Sequence, residues 1–589
     1  MDSAALRRPL LLLLALVVLV RLPFLRQAIQ GDDVYYLAAA QHAQIDPLHP
    51  NHVRYVFLGD EVDLRGHPHP PLNAWILAGL LAVAGDVYEV PFHAAYIAFS
   101  LIAMAAMWSL ARRFSPRPLW AALLFLAVPA FVINGASLEA DLPFLAFWMA
   151  AIALFTAGRY VLAVPAMALA ALAAYQAVFL TPILAVYVWL HARRNRTAWL
   201  ATLAPLATLA AWQAFERLST GALPAGVLND YFRLYGFQAL AAKLTNAAAL
   251  AIHACWMVFP ALAPPAVLLA WRKHRDPAFI FLSAWIALFF AGALVVFFAG
   301  SARYLLPMAA PVALLASRLS TRWLAMAFAV QMPLSLALAW VNYEHWDGYR
   351  RFAASLAPYT ANRRVWINGE WGLRYYLETA GGLALRKQQP LRPGDLVVSS
   401  ALAYPVEFTN PVSRVAEANI LSTLPLRLIG LDSRAGYSTA SRGLLPFGIS
   451  RGPIDRVRAD LVVDRRPVLE YVPMSAGEQV VAGFHQLEGT WRWMSSRGTV
   501  LLRSPANARP VSVSFVIPEA SPARRIALVL DGREIASQTF PAPGSYTLSS
   551  QPVKPEAASA TLAITADRAF SAEGDRRELS IIVTAAGFR

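Results

Sequence analysis

The chain reads as an α-helical polytopic membrane protein of about eleven transmembrane helices plus interfacial helices, with a C-terminal extracytoplasmic α/β and β-sandwich region. Three observations predict it. Of 589 residues, 58% are hydrophobic and the mean hydropathy is +0.46, too apolar for a soluble chain. The apolar residues gather in stretches long enough to cross a hydrocarbon core of ~30 Å. After Val341 the hydropathy falls, and the remaining residues, about 248 of them, carry strand-like patterns.

The first apolar stretch follows Arg7 and Arg8 but lacks a small-residue cleavage site, so it reads as an uncleaved first span with a cytoplasmic N-terminus. Apolar segments run at about 9 to 25, 71 to 84, 91 to 111, 119 to 133, 142 to 158, 160 to 174, 177 to 191, 198 to 215, 245 to 271, 278 to 299, 304 to 317 and 323 to 341. If all twelve span, then Arg112, Arg113, Arg117, Arg193, Arg194, Arg196 and the Arg272-Lys273-His274-Arg275 run fall outside, against the bias of basic loops toward the cytoplasm. Removing one segment before residue 112 returns all of them, with Arg318 and Arg322, to the inside. The segment at 71 to 84 is the one to remove: it is short, opens with Pro70-Pro71 and suits a helix lying along the outer interface. Eleven spans then remain, and residues 1–341 form the transmembrane domain.

The rest lies outside the membrane, in the periplasm if the cell has two. Val365-Trp366-Ile367-Asn368, the residues up to Tyr376 and then Gly381-Gly382 read as strand, helix and glycine cap, an α/β unit assigned to 342–474. In 475–589, short alternating runs at 511–517, 526–530 and 579–583, separated by turn residues, indicate a β-sandwich.

The formal charge of +15 falls largely in short loops between spans, so it reports orientation and not nucleic-acid binding. The single cysteine, Cys255, sits in an apolar run, which excludes an intrachain disulfide and makes thiolate catalysis implausible. No glycine-rich phosphate loop or dinucleotide fingerprint is visible.

The topology puts three polar segments on the outer face. Gly31-Asp32-Asp33-Val34-Tyr35-Tyr36 sets adjacent acids at the start of a short helix, whose dipole favours anions. His67-Pro68-His69-Pro70-Pro71-Leu72 stiffens the entry to the interfacial helix and fixes His69 beside the membrane. Ser137-Leu138-Glu139-Ala140-Asp141 lies at the outer end of a span, and Arg303-Tyr304 opens another on the same side. Carboxylates at a bilayer boundary are functional candidates because charge is costly to bury there.

These segments, in this order, resemble the lipid-dependent glycosyltransferases of the GT-C superfamily, and within it the protein O-mannosyltransferase-like and lipid A aminoarabinose transferase-like families. The resemblance covers roughly residues 1 to 341 and includes Arg303-Tyr304-Leu305-Leu306-Pro307. It implies a sugar donor on a polyprenyl phosphate and, as catalytic base on an acceptor hydroxyl, Asp32. The usual second acid is Glu where this chain has Asp33, and the aminoarabinose enzymes use a lysine near the Pro-Pro-Leu element where this chain has His69.

The resulting expectation is an inverting transferase moving one sugar to a lipid, glycan or protein hydroxyl, with Asp32, Asp33 and Asp141 catalytic. His69, Glu139, Arg303, Tyr304 and Tyr35 would bind substrate, Arg303 as a planar clamp for the donor phosphate. No soluble cofactor is needed. A divalent ion would find suitable donor types in Asp32, Asp33, His69 and Asp141, although their spacing is no metal signature. An oligosaccharide ligase or polymerase, or a transporter of polyprenyl-linked glycan, shares the same spans and donor. In the tail, Trp491 and Trp493 lie on one face at strand spacing, which suits either sugar stacking or a core.

Overall fold

The computed structural model describes residues 3–237, 239–258, 276–296, 299–463, 467–572 and 574–589. The end of the predicted 245 to 271 segment, the basic run at 272–275 and part of the 278 to 299 segment lie outside them. The chain divides into two units: Met1–Phe57, Glu61–Gly348 and Leu421–Ile454 make the first; Leu58–Asp60, Tyr349–Ile420 and Asp455–Arg589 make the second.

Apolar helices build the first unit. Among the described residues, Glu89–Phe114, Arg196–Thr220, Pro277–Val296 and Thr321–Ser355 are long and apolar enough to cross a membrane, and shorter apolar helices at Leu72–Ala84, Asp141–Thr156, Tyr160–Ala173 and Leu240–Cys255 pack with them. A large core runs through the unit; Trp148, Trp285, Phe281 and Phe289 are among its largest fully buried rings, with Trp148 and Phe289 edge-on at 5.4 Å. The expected straight span at 119 to 133 is instead two helices, Pro118–Leu126 and a second beginning at Pro129, bent by 61°. The cause is local: proline disfavours helical backbone in the residue before it, and Val128 takes ψ 123°. The segment predicted at 160 to 174 likewise stops at Ala174, extended at φ −158° and ψ 142°, before the next helical stretch.

The second helix ends at Ile133, which leaves its last carbonyls without helical partners, and Arg21 supplies donors. Its buried guanidinium donates to the carbonyls of Phe131 at 2.7 Å and Val132 at 2.8 Å, and to Ser100 Oγ at 3.1 Å. Gly135 lets it in: a Cβ there would sit 1.7 Å from the Arg21 guanidinium carbon.

The second unit holds two sheets. The first runs in the order Leu383–Ala384, Val365–Asn368, Leu396–Ser400, Asp455–Val462, Val412–Ile420, with the first two pairings parallel and the others antiparallel. The predicted strand, helix and glycine stop are Val365–Asn368, Gly372–Thr379 and Gly381 at φ +87°. The C-terminal part is β-rich, a nine-stranded antiparallel array around a core that includes Phe515, Leu528 and Ile564. Its long strand Trp491–Arg503 joins the halves: Arg492 and Trp493 pair with Ile582–Phe588, while 497–503 pair with Ser559–Ala566.

Candidate active site

Four of the predicted charged residues meet in the first unit. Arg303 Nη2 donates to Asp32 Oδ2 at 2.8 Å, Nη1 to Glu139 Oε2, and Nε stands 3.7 Å from Asp141 Oδ2. One guanidinium therefore faces three carboxylates. The Arg303, Glu139 and Asp141 side chains are largely buried at 13%, 4% and 8% exposure, while Asp32 is open at 29%. The most accessible of these carboxylates is the one that the family resemblance implies as base.

Each member is held by its own backbone. Asp32 immediately precedes the Asp33–His42 helix, at its N-cap position without a side-chain capping bond, and its N–H donates to Glu139 Oε1 at 3.0 Å. Gly31 permits this approach, with φ +46° and only 2.5 Å between its ideal Cβ position and Glu139 Oε1. Glu139 and Asp141 lie just past the bent helix pair, Asp141 as the first residue of Asp141–Thr156. Arg303 sits on a short 3-10 segment, Ala302–Met308, and its guanidinium lies 5.6 Å from the Tyr304 ring.

Asp33 points elsewhere. Its fully buried carboxylate accepts from the Gln30 N–H at 3.0 Å, the Leu138 N–H at 2.9 Å and Ser137 Oγ at 3.1 Å. It ties the acid-bearing turn to the loop that carries Glu139. The same loop is gripped from the other side by Asn73, whose Nδ2 donates to the Leu138 carbonyl at 2.8 Å and whose Oδ1 accepts from Tyr96 at 2.7 Å.

His69 is buried, and its Nδ1 donates to the Ala173 carbonyl at 3.1 Å, so the proton resides on Nδ1. Burial lowers its pKa to about 4, which keeps the ring neutral near pH 7. Its ring is 5.7 Å from Tyr36 and 5.4 Å from His67. Tyr35 packs among aromatic rings, 4.9 Å from Tyr55 and 6.0 Å from Phe57. Its neighbour Tyr36 senses the charged cluster: burial, then the Asp141 and Glu139 carboxylates, raise its pKa. Burial also pushes the Glu139 carboxyl up to about 7, against the downward pull of Arg303.

Sequence reasoning missed the support beneath Arg303. Tyr437 accepts at its carbonyl from the Ala302 N–H at 2.9 Å and from Ser301 Oγ at 3.1 Å, and its hydroxyl donates to Asn134 Oδ1. The Ala440 N–H donates to the Ala299 carbonyl at 2.7 Å, closing a second clamp on this strap. Tyr437 carries no charge and lies in a stretch of low hydropathy, so nothing in the pattern marks it. A cavity of about 290 Å³ adjoins the strap, lined chiefly by apolar side chains, among them Ala302, Leu306, Trp256 and Phe447, with His253, Gln331 and Tyr437 as polar members. Among the described residues, no group of three His, Cys, Asp or Glu side chains has a geometry that would hold a metal ion.

Residues 68–215 match the family described as dolichyl-phosphate-mannose-protein mannosyltransferase. None of the curated proteins matches the chain. Among solved structures, ArnT from Cupriavidus metallidurans bound to undecaprenyl phosphate is 15% identical, with TM-score 0.44, covering 66% of this chain and 93% of that one. The mycobacterial arabinofuranosyltransferase AftD is 13% identical, with TM-score 0.41, covering 99% of this chain and 59% of that one. The S. cerevisiae protein O-mannosyltransferase Pmt1-Pmt2 complex bound to the sugar donor is 16% identical, with TM-score 0.28, covering 40% and 34%. The matched 68–215 region contains His69, Pro70, Pro71, Glu139 and Asp141. Over this region the chain resembles the protein mannosyltransferases of that family.

Proposed function

We propose that this GT-C-like chain is an inverting glycosyltransferase that moves a single sugar from a polyprenyl-phosphate donor to a lipid, glycan or protein hydroxyl at the outer face of the cytoplasmic membrane. The observation that carries the reading is the convergence of Asp32, Glu139 and Asp141 on Arg303. A polyprenyl phosphate is a competent leaving group, so such an enzyme needs a base for the acceptor, a cation for the phosphate and fixed orientation.

Asp32 takes the proton of the acceptor hydroxyl as that oxygen bonds to the anomeric carbon. The bond from that carbon to the phosphate oxygen breaks on the opposite face, and its electron pair leaves with the polyprenyl phosphate. Arg303 has both roles open to it: without donor it neutralises the carboxylates, and a phosphate competing for the same fork draws it off Asp32 and frees the base. Asp141 and Glu139 orient Arg303, and Glu139 fixes the Asp32 backbone as well. Asp33 acts through the loop it anchors and not on substrate. His69, Tyr304 and Tyr35 shape the surroundings of donor and acceptor. The apolar cavity beside Ala302 suits the first isoprene units of the donor.

The test is transfer of radiolabelled sugar from a panel of polyprenyl-phosphate monosaccharides by the purified protein in proteoliposomes. Transfer or donor hydrolysis supports the reading, and the mass of the group moved separates one sugar from a whole glycan. Inertness toward every donor, with acceptor supplied as membrane extract, contradicts it.

A further inference from the structure

Between Val412–Ile420 and Asp455–Val462, two strands that pair with each other, the chain leaves their sheet: Leu421–Ile454 belongs to the helical unit. Its entry is fixed against the Thr321–Ser355 helix, which carries no charged residue from Trp323 to Tyr343. Glu344, the first acid beyond that run, accepts from the Thr423 N–H at 2.9 Å and from Ser422 Oγ at 2.6 Å, and Trp340 Nε1 donates to Thr423 Oγ1 at 3.3 Å. A tryptophan followed by the first carboxylate marks the water boundary of a span, so the segment enters at that level.

From there it runs back along the span. Pro446 and Phe447 line the apolar cavity with Val330, Leu334 and Leu338 of the same helix, and Val330 lies about 15 Å along the axis from Trp340. Phe447 also meets the Trp256 ring at 5.0 Å. Beside it Leu445 is exposed and Ile449 is 81% exposed, and Leu421 at the entry is 53% exposed. The helix itself exposes Met326 and Val330, on a stretch that hydrocarbon covers in a span. The apolar face of the insertion continues that lipid-facing surface.

Its backbone suits such surroundings. Irregular chain is tolerated at membrane depth only where its polar groups are satisfied within the protein. The fully buried Arg427 guanidinium donates to the carbonyls of Leu424, Leu426 and Gly452. Leu426–Arg427 pairs antiparallel with Gly448–Ile449, the Gly436 N–H donates to the Leu445 carbonyl at 2.9 Å, and the Leu445 N–H donates to the Arg434 carbonyl at 3.3 Å. Arg434 and Arg451 are exposed and make no ion pair among the described residues, which leaves them for lipid phosphates. A soluble protein reaching this face would have to enter hydrocarbon; the bilayer is already there.

We propose that residues 421–454 dip into the bilayer leaflet at the Trp340 end of the Thr321–Ser355 span, with Leu421, Leu445 and Ile449 among acyl chains and Arg434 and Arg451 on headgroup phosphates. The assignment is independent of the reaction the chain performs. The native thiol Cys255 is exposed, so the full-length protein carries Cys255→Ala, and an environment-sensitive fluorophore is attached in nanodiscs at Ile449→Cys, Leu421→Cys, Met326→Cys or Gln551→Cys. Labels at 449 and 421 should shift to the blue, be quenched by spin-labelled acyl chains as at 326, and lose the quenching by aqueous iodide seen at 551 in the β-rich part. Two insertion sites guard against a variant that fails to fold. Iodide quenching at both that equals the quenching at 551 places the segment in water and overturns the proposal. So does protection from both quenchers, which would mean that a protein surface covers the patch.

Discussion

Arg303 and Asp32, 271 residues apart in the chain, hold each other at 2.8 Å, and the same guanidinium serves Glu139. This relationship makes the proposed base and its counter-ion a single device, and several expectations derive from it.

Arg303→Ala leaves the buried Glu139 and Asp141 without a cation. Removing one partner of a buried pair costs about 3–5 kcal/mol, so thermal unfolding in detergent should shift downward by several degrees and transfer should be abolished. Arg303→Lys keeps the charge but loses the planar fork; it should restore much of the stability and little of the activity. Equal stability of Arg303→Ala and wild type would count against the ion cluster.

Gly31→Ala introduces both a positive-φ strain and a Cβ within 2.5 Å of Glu139 Oε1. A left-handed conformation costs an L-residue about 1–2 kcal/mol, and the clash displaces the turn that carries Asp32. Transfer should fall at least tenfold, whereas Gly85→Ala, at a positive φ with open space around it, should change stability alone.

Burial raises the Glu139 carboxyl above the ordinary range, to about 7, against the downward pull of Arg303. Above that pH it is charged and would compete with donor phosphate for Arg303; below it, it is neutral and its hold on Arg303 weakens, leaving Asp32 and Asp141 as the remaining anionic partners. The KM for donor should therefore rise as pH increases through about 7, and Glu139→Gln should flatten this dependence. A pH-independent KM in the wild type would contradict the competition.

His69 is depressed to about 4, while an unfolded histidine binds its proton near 6.5. The unfolded chain then takes up a proton first as pH falls, so stability is lost between about 6.5 and 4 and is unaffected by this group above 6.5. In His69→Asn, where the amide can still donate to the Ala173 carbonyl, the acid limb of the Tm against pH should be shallower.

The convergence of Asp32, Glu139, Asp141 and Arg303 was legible because charges are rare in such a chain, and loop parity put all four on one side. What held them was not legible. The break before Pro129 lies inside a uniformly apolar run, where hydropathy sees a span and only the backbone of Val128 reports the bend. Tyr437, Asn134 and Asn73 act through neutral hydrogen bonds that leave no periodic signature, and Tyr437 comes from a stretch read as part of a separate soluble unit. Adjacent acids also look alike in sequence: only the three donors around Asp33 set it apart from Asp32. Strands at 511–517 and 526–530 were readable because alternation reports one buried face, yet alternation did not say whether Trp491 and Trp493 faced the core or the solvent.

The most direct measurement is sugar transfer by Asp32→Asn beside wild type in proteoliposomes, with Tm measured on the same preparations. The account predicts a loss of about 10²-fold to 10⁴-fold, as expected when a general base is removed, with Tm retained because asparagine still fills the same partly exposed site. Activity within a few-fold of wild type would show that Asp32 is not the base and would contradict the mechanism.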